Sequence, residues 1–348
     1  MRITIATLVL AIWIAACQDQ SKKTDGSFAK NGTDTAVNEK SFIELGGEKQ
    51  YVEITGASSR NPVLLFIHGG PGWPQTPHLR YFNADLTKDV ILVAWEQSGS
   101  GKSFMQNPEP KNLSLEQIVS DAHELTQILK KKFNQDKVYV AGFSWGSTVG
   151  LKLIDKYPDD YIAYFGISQV LSARESIRQS RKWITEQARS RGDKPALAAL
   201  ERIEKGDTGI CKKELECFYK QYEFLTKYGG AIYKKESEAE IEKAVTKYED
   251  YKDYDWMKAF NYSIGRLEND LFNTDLRTIT ETKIPVYFLV GRHDWNIPAH
   301  VTETYVSKLK APKKEVIWFD NSGHEPLEEE AAKFNQVIIE KIRSTNAQ

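Results

Sequence analysis

Val138-Tyr139-Val140-Ala141-Gly142-Phe143-Ser144-Trp145-Gly146-Ser147 is the stretch that decides the fold of this chain. An apolar run enters a G-x-S-x-G pentapeptide, and a helix-compatible run, Ser147 to Tyr157, leaves it. That is the strand, sharp turn and helix in which such a serine acts as a nucleophile. The turn is tight, so small residues must flank the serine, and Gly142 and Gly146 do so. It also aims the backbone N–H of Trp145 and the start of a helix at a carbonyl seated over Ser144.

Upstream, Val63 to Ile67 is a continuous apolar run, the pattern of a strand buried on both faces. It runs into His68-Gly69-Gly70-Pro71-Gly72-Trp73, a glycine-rich loop whose backbone N–H groups can approach an oxyanion closely. Val90 to Trp95 is the next buried strand. The Gly101-Lys102-Ser103 that follows it is not a phosphate loop, because Glu96 stands where that motif needs glycine. Ser114-Leu115-Glu116-Gln117 is a capping box opening an amphipathic helix to about Lys132. His123 on that helix reads as a surface or interface histidine. Nearer the start, Ser41 to Leu45 and Gln50 to Ile54 alternate as an antiparallel pair would.

Downstream, Tyr161 to Ser168 is a further strand. Residues 170–282 then turn charge-dense and helix-rich, with a Gly229-Gly230 break, and read as a helical cap inserted after the sixth core strand. Ile284 to Val290 restores the buried-strand pattern and is followed by Gly291-Arg292-His293-Asp294. Glu315 to Phe319 is the last strand, then come Asp320-Asn321-Ser322-Gly323-His324 and a closing helix from about Pro326 to Ile342. The alternation of strand and helix predicts a doubly wound, mostly parallel sheet with its site at the carboxyl ends of the strands. Ser144, Asp294 and His324 all fall at such ends.

A serine hydroxyl is a weak nucleophile at neutral pH and needs a base, for which His324 is the candidate. The base needs its tautomer held by a buried acid, for which Asp294 is the candidate and Asp320 the alternative. His68 sits inside the glycine-rich loop and reads as structural, and His293, next to the acid, reads as a pocket residue. The Gly70 and Trp145 N–H groups are the candidate oxyanion donors; losing one such donor costs about 3 kcal/mol of barrier. No Cys/His cluster has metal-ligand spacing, and no cofactor is implied.

The N-terminus reads as an address. Met1-Arg2 precedes an apolar run, Ile3 to Ala16, that is shorter than the roughly 20 residues needed to span a bilayer. Its end, Ile14-Ala15-Ala16-Cys17, resembles a bacterial lipobox, which makes Cys17 a candidate lipidation site. Residues 1–17 are then the signal peptide and 18–40 a polar tether, leaving 41–169 and 283–348 as core and 170–282 as cap. This predicts anchoring in the bacterial cell envelope, in the periplasm or at the outer membrane. With 47 Lys and Arg against 48 Asp and Glu, nothing points to nucleic acid as a partner. Cys211 and Cys217 leave two readings open, a small-loop disulfide or two separate thiols.

These pieces together resemble the α/β-hydrolase superfamily, and within it the proline iminopeptidases, over roughly residues 41 to 345. His68-Gly69-Gly70-Pro71-Gly72 matches that family's oxyanion loop, and Gly142-Phe143-Ser144-Trp145-Gly146-Ser147 its nucleophile turn. The order Ser, Asp, His is the order the superfamily uses. The resemblance implies an eight-stranded sheet with helices on both faces and a helical cap. It also implies acyl-enzyme release of an N-terminal residue from short peptides; a carboxylesterase and a non-catalytic binding lipoprotein are the alternatives. The family carries Asp-Gln-Arg-Gly where this chain has Glu96-Gln97-Ser98-Gly99, and it holds the substrate amine on cap glutamates. Arg266-Leu267-Glu268-Asn269 is similar to one such segment, so Glu268 is the candidate substrate-binding residue, against the alternative of an exposed helix position.

Overall fold

The computed structural model describes residues 34–346. The signal peptide, Cys17 and the tether as far as residue 33 lie outside the described residues. β1 (Val37–Leu45) and β2 (Glu48–Gly56) pair antiparallel, with Val37 opposite Gly56. β1 begins at Val37, not at the expected Ser41, so residues 37–40 belong to the sheet and not to the tether. Val37 is buried, but Asn38, Glu39 and Lys40 behind it are polar on both sides, and the alternation carries no apolar signal there.

β3 (Val63–Ile67) leads through the glycine-rich loop to α1 (Thr76–Phe82). β4 (Ile91–Glu96), α2 (Gly101–Gln106) and α3 (Leu115–Phe133) follow. Ser114 caps α3 as expected, its side chain accepting the Gln117 N–H at 3.2 Å. Then come β5 (Val138–Phe143), α4 (Trp145–Lys156) and β6 (Tyr161–Ile167).

The cap is six helices inserted here: α5 (Ala173–Ser190), α6 (Lys194–Glu204), α7 (Glu214–Lys227), α8 (Lys235–Thr246), α9 (Trp256–Arg266) and α10 (Glu268–Asn273). α5 buries Ala173, Ser176, Ser180, Ile184 and Ala188, one helical stripe, with Ile184 and Ala188 against Leu200 and Leu225 and Ala173 against Phe272. Cys211 and Cys217 are joined in a disulfide at a Cα separation of 5.2 Å, which closes the question their spacing left open. The two ends of the cap meet: Leu276 N–H donates to Leu171 O at 2.7 Å.

β7 (Val286–Gly291), α11 (Ala299–Lys308) and β8 (Lys314–Phe319) complete the eight-stranded sheet, ordered β1-β2-β4-β3-β5-β6-β7-β8 and parallel from β4 onward. The single closing helix expected from Pro326 to Ile342 is two, α12 (Pro326–Glu329) and α13 (Ala331–Asn346). Glu330 leaves helical geometry between them, and its carboxylate accepts Asn321 N–H at 2.8 Å and the Ser322 hydroxyl at 3.0 Å.

The continuous apolar runs are explained by the two layers they feed. Val63, Leu65 and Ile67 pack with α3, α4 and α11 on one face. Leu64 and Phe66 pack with Leu79 of α1 and with Phe334 and Ile338 of α13 on the other. Alternate strand residues point to opposite faces, so a strand covered on both must be apolar throughout. Each fully buried Leu or Phe contributes about 1.5–3 kcal/mol. Because α1 leaves β3 on one face and α3 leaves β4 on the other, a crevice opens at the carboxyl ends of β3 and β5, where Ile67 pairs with Gly142. Among the described residues, no helix is long and apolar enough to cross a membrane.

Candidate active site

Ser144 stands between β5 and α4 with φ 49° and ψ −119°. A non-glycine residue held there stores about 1–3 kcal/mol of strain, which the surroundings must offset. Its N–H donates to Ile167 O at 3.0 Å, and its carbonyl accepts the Ser147 N–H at 2.8 Å. A Cβ at Gly142 would lie 2.4 Å from the Gly146 carbonyl oxygen, so this flank of the turn has no room for a side chain.

The hydroxyl of Ser144 lies 3.0 Å from His324 Nε2, and His324 Nδ1 lies 2.8 Å from Asp294 Oδ2. Asp294 and His324 are both buried. With Nδ1–H donating to the carboxylate, Nε2 is left as the acceptor for the serine proton. Asp294 is itself fixed, since its Oδ1 accepts Ile297 N–H at 2.8 Å. The alternative acid, Asp320, is exposed and pairs with Arg292 at 2.7 Å, away from the histidine. His324 is held by its backbone on both sides: its N–H donates to Ala231 O of the cap at 2.6 Å, and its carbonyl accepts the Ser168 hydroxyl at 2.8 Å.

Gly70 has φ 107°, and a Cβ there would lie 2.6 Å from Gly72 N and from Trp73 N. Trp145 opens α4, so its backbone N–H is among those with no partner inside the helix. His68 is buried; its Nδ1 donates to Gly69 O at 2.8 Å and its Nε2 accepts Gln97 N–H at 3.1 Å. Burial pushes its pKa down to about 4, so it is a neutral strut, as its place in the loop suggested. Gln97 ties the loop to the nucleophile turn: its amide donates to His68 O at 2.9 Å and its oxygen accepts the Trp145 indole N–H at 3.2 Å.

The cap sits directly on this machinery. A Cβ at Gly72 would lie 2.8 Å from Ala259 O of α9. Trp73 packs on Trp256 at 4.8 Å and on Phe260 at 6.2 Å, and Phe260 meets Tyr219. Glu268 is half-buried at the first turn of α10, close enough to Tyr219 for its charge to raise that phenol's pKa after burial has done so. On the other side, Glu329 accepts Gly323 N–H of the base loop at 2.7 Å and Tyr233 N–H of the cap at 2.8 Å. His293 stacks on Tyr233 at 3.6 Å, and His123 on α3 is taken up by Asp160 and Tyr157. Glu96 is buried under the Tyr251 hydroxyl of the cap, and Lys102 N–H donates to it at 2.5 Å. Burial raises its pKa against these donors. Sequence reasoning missed Gln97, Ser168, Glu96 and Glu329 as supports. The only signal was the departure at Glu96-Gln97-Ser98-Gly99, which points to a rebuilt contact without naming it. Among the described residues, no group of His, Cys, Asp or Glu is placed to hold a metal.

The family model described as the alpha/beta hydrolase fold matches residues 62–331. The chain is 29% identical over 307 residues to the probable aminopeptidase YbaC of Bacillus subtilis, covering 86% of this chain and 95% of that protein. It is 27% identical to the proline iminopeptidase of Heyndrickxia coagulans, covering 87% and 98%. The crystal structure of proline iminopeptidase from Mycobacterium smegmatis superposes with a TM-score of 0.67 at 16% identity, covering 89% and 99%. This chain therefore belongs to the alpha/beta hydrolase fold family and resembles its proline iminopeptidases.

Proposed function

We propose that this protein is a serine aminopeptidase that releases the N-terminal residue of short peptides through an acyl-enzyme. The observation that carries the reading is the relay from a half-buried Ser144 Oγ through buried His324 to buried Asp294, 3.0 and 2.8 Å long. Ser144 Oγ attacks the carbonyl carbon of the first residue while His324 Nε2 takes the hydroxyl proton. The oxyanion forms against the Gly70 and Trp145 N–H groups. As the C–N bond breaks, His324 returns its proton to the leaving amine; water then attacks the ester, with His324 again the base, and frees the acid and Ser144. The names borne by the similar proteins support an amide over an ester substrate. The cap packed over Gly72 and Trp73 supports a short peptide over a folded protein. The test is labelling by a fluorophosphonate, abolished in Ser144→Ala, followed by aminoacyl p-nitroanilides and p-nitrophenyl esters. Turnover of esters alone would replace the peptidase reading with a carboxylesterase one, and no labelling would leave a binding protein.

The reading includes an envelope location through lipid on Cys17. It is supported by the lipobox-like Ile14-Ala15-Ala16-Cys17 and by the Cys211–Cys217 disulfide, which suits an oxidising compartment. Cys17→Ser should move the protein from the membrane pellet to the soluble fraction; an unchanged distribution would refute the anchor.

A further inference from the structure

The sheet presents Ser144, Asp294 and His324 at the carboxyl ends of its parallel strands, and its other face is where those strands begin. The described chain enters at that other face. Val37 lies opposite Gly56, β2 runs antiparallel to β4, and Ser59 N–H donates to Thr35 O at 2.8 Å just before β3. Cys17 is joined to the sheet there through residues 18–33. A polar linker of that length spans about 20 Å on average.

Lys283, Lys308, Lys310 and Lys313 gather at the same face, on the segments that lead into β7 and β8. The two segments are bonded to each other: Lys310 N–H donates to Thr280 O at 2.9 Å, and Thr282 N–H donates to Lys310 O at 2.8 Å. All four lysines are exposed, and among the described residues none of them forms an ion pair. Glu281 is the one acid on these segments. Elsewhere on the face the charges are largely matched. Asp34 is taken by Arg60, Asp85 by Lys88, Asp89 by Arg343 and Asp160 by Lys130. Asp136 adjoins Lys137, Asp155 adjoins Lys156, and Asp159 is left over. The positive excess therefore sits at the β7–β8 edge, while the strand that leads back to Cys17, β1, is the opposite edge. Strands about 4.8 Å apart put the two edges roughly 34 Å from each other.

We propose that this face lies on a bilayer, with Lys283, Lys308, Lys310 and Lys313 against anionic phospholipid headgroups and the active site turned to the aqueous side. The proposal rests on the envelope reading above and adds which side of the protein meets the membrane. A lipid attached through β1 alone leaves the body free to pivot; a cationic contact at the far edge removes that freedom. With the lipid inserted, the second contact is intramolecular and needs little affinity of its own. The mouth of the site then opens away from the lipid, towards soluble peptides.

The test uses the full chain as Cys17→Ser, which carries no lipid, and measures sedimentation with vesicles of phosphatidylcholine or of an equal mixture with phosphatidylglycerol. At low ionic strength the protein should prefer the anionic vesicles, and the preference should vanish near 1 M salt, where the screening length falls to about 3 Å. Adding Lys283→Gln, Lys310→Gln and Lys313→Gln together should weaken binding to the anionic vesicles roughly 100-fold, about 5-fold per charge. Lys212→Gln, Lys213→Gln and Lys235→Gln remove as much charge from exposed positions of the cap and should change it less than about 2-fold. Equal losses from the two triple variants would report net charge alone and overturn the proposal. So would binding indifferent to lipid charge and salt, as the apolar run Ile3 to Ala16 would give. The salt and lipid series needs no patch variant, so it decides even if the triple substitution fails to fold. Wild type that stays out of the membrane pellet sinks the lipid anchor, whereas the Cys17→Ser vesicles judge the face by itself.

Discussion

Replacing Gly146 by alanine adds one methyl group at the tightest point of the nucleophile turn. A Cβ there lies 2.1 Å from the Ile67 carbonyl oxygen and 2.5 Å from that of His68. Both are backbone atoms of β3 and the oxyanion loop, so no side chain can swing aside. To reach even 3.0 Å, the start of α4 must retreat by about 0.9 Å. That retreat carries Ser144 and the Trp145 N–H away from His324 and Gly70. A misplacement of about 1 Å in such a site costs roughly 10²-fold in rate. Overpacking of this kind also costs about 1–3 kcal/mol of stability. The assay is the rate of fluorophosphonate labelling, with a thermal melt on the same sample. Gly192→Ala is the control: Gly192 also has a positive φ, of 63°, but a Cβ there meets nothing within 4 Å. Gly192→Ala should be strained yet label at the wild-type rate. Gly146→Ala labelling within a factor of about two of wild type would refute the argument that this contact sets the geometry.

Three further outcomes follow from the same structure. Asp294→Asn should slow labelling by about 10⁴-fold by losing the base tautomer, while Asp320→Asn, which frees Arg292 and Lys333 at the surface, should label normally. His68 has its pKa depressed from 6.5 to about 4 by burial, so it contributes stability that is full above 6.5 and lost as pH falls towards 4. Urea melts across that window should show a decline of up to about 3 kcal/mol, and a flat profile would contradict the buried neutral strut. Cys211→Ser, which opens a small loop, should cost about 2 kcal/mol by chain entropy, read as a lower urea midpoint that dithiothreitol reproduces in wild type.

Much of the fold was legible because its signals are local. β3 and β5 are apolar at every position because each serves two layers, and periodicity reports that directly. The glycines at 70, 142 and 146 are demanded by backbone atoms within a few ångströms, so their spacing announces the turn. Asp294 was separable from Asp320 because Asp320 lies only four residues before His324 on one loop, a spacing that rarely gives the needed orientation, and the structure gives Asp320 a different partner. What stayed hidden depends on contacts between distant segments. Gln75 and Glu328 meet only once the sheet is wound, and neither residue type in its own stretch suggests the other. Glu329 looked like one more acid at a helix start, yet it receives N–H groups from both base loop and cap. The break at Glu330 follows from Asn321 and Ser322, which no helical periodicity encodes. The pairing of Cys211 with Cys217 needed a Cα distance.

The amide of His324 is bonded to Ala231, and Trp295 N–H, beside Asp294, donates to Gly230 O at 2.9 Å. Both acceptors ride on the roof of the molecule. Separating that roof from the core would have to break both of these bonds. The helical roof and the two loops that carry His324 and Asp294 are thus stitched together through main-chain atoms, so the placement of both side chains depends on the roof as well as on the sheet.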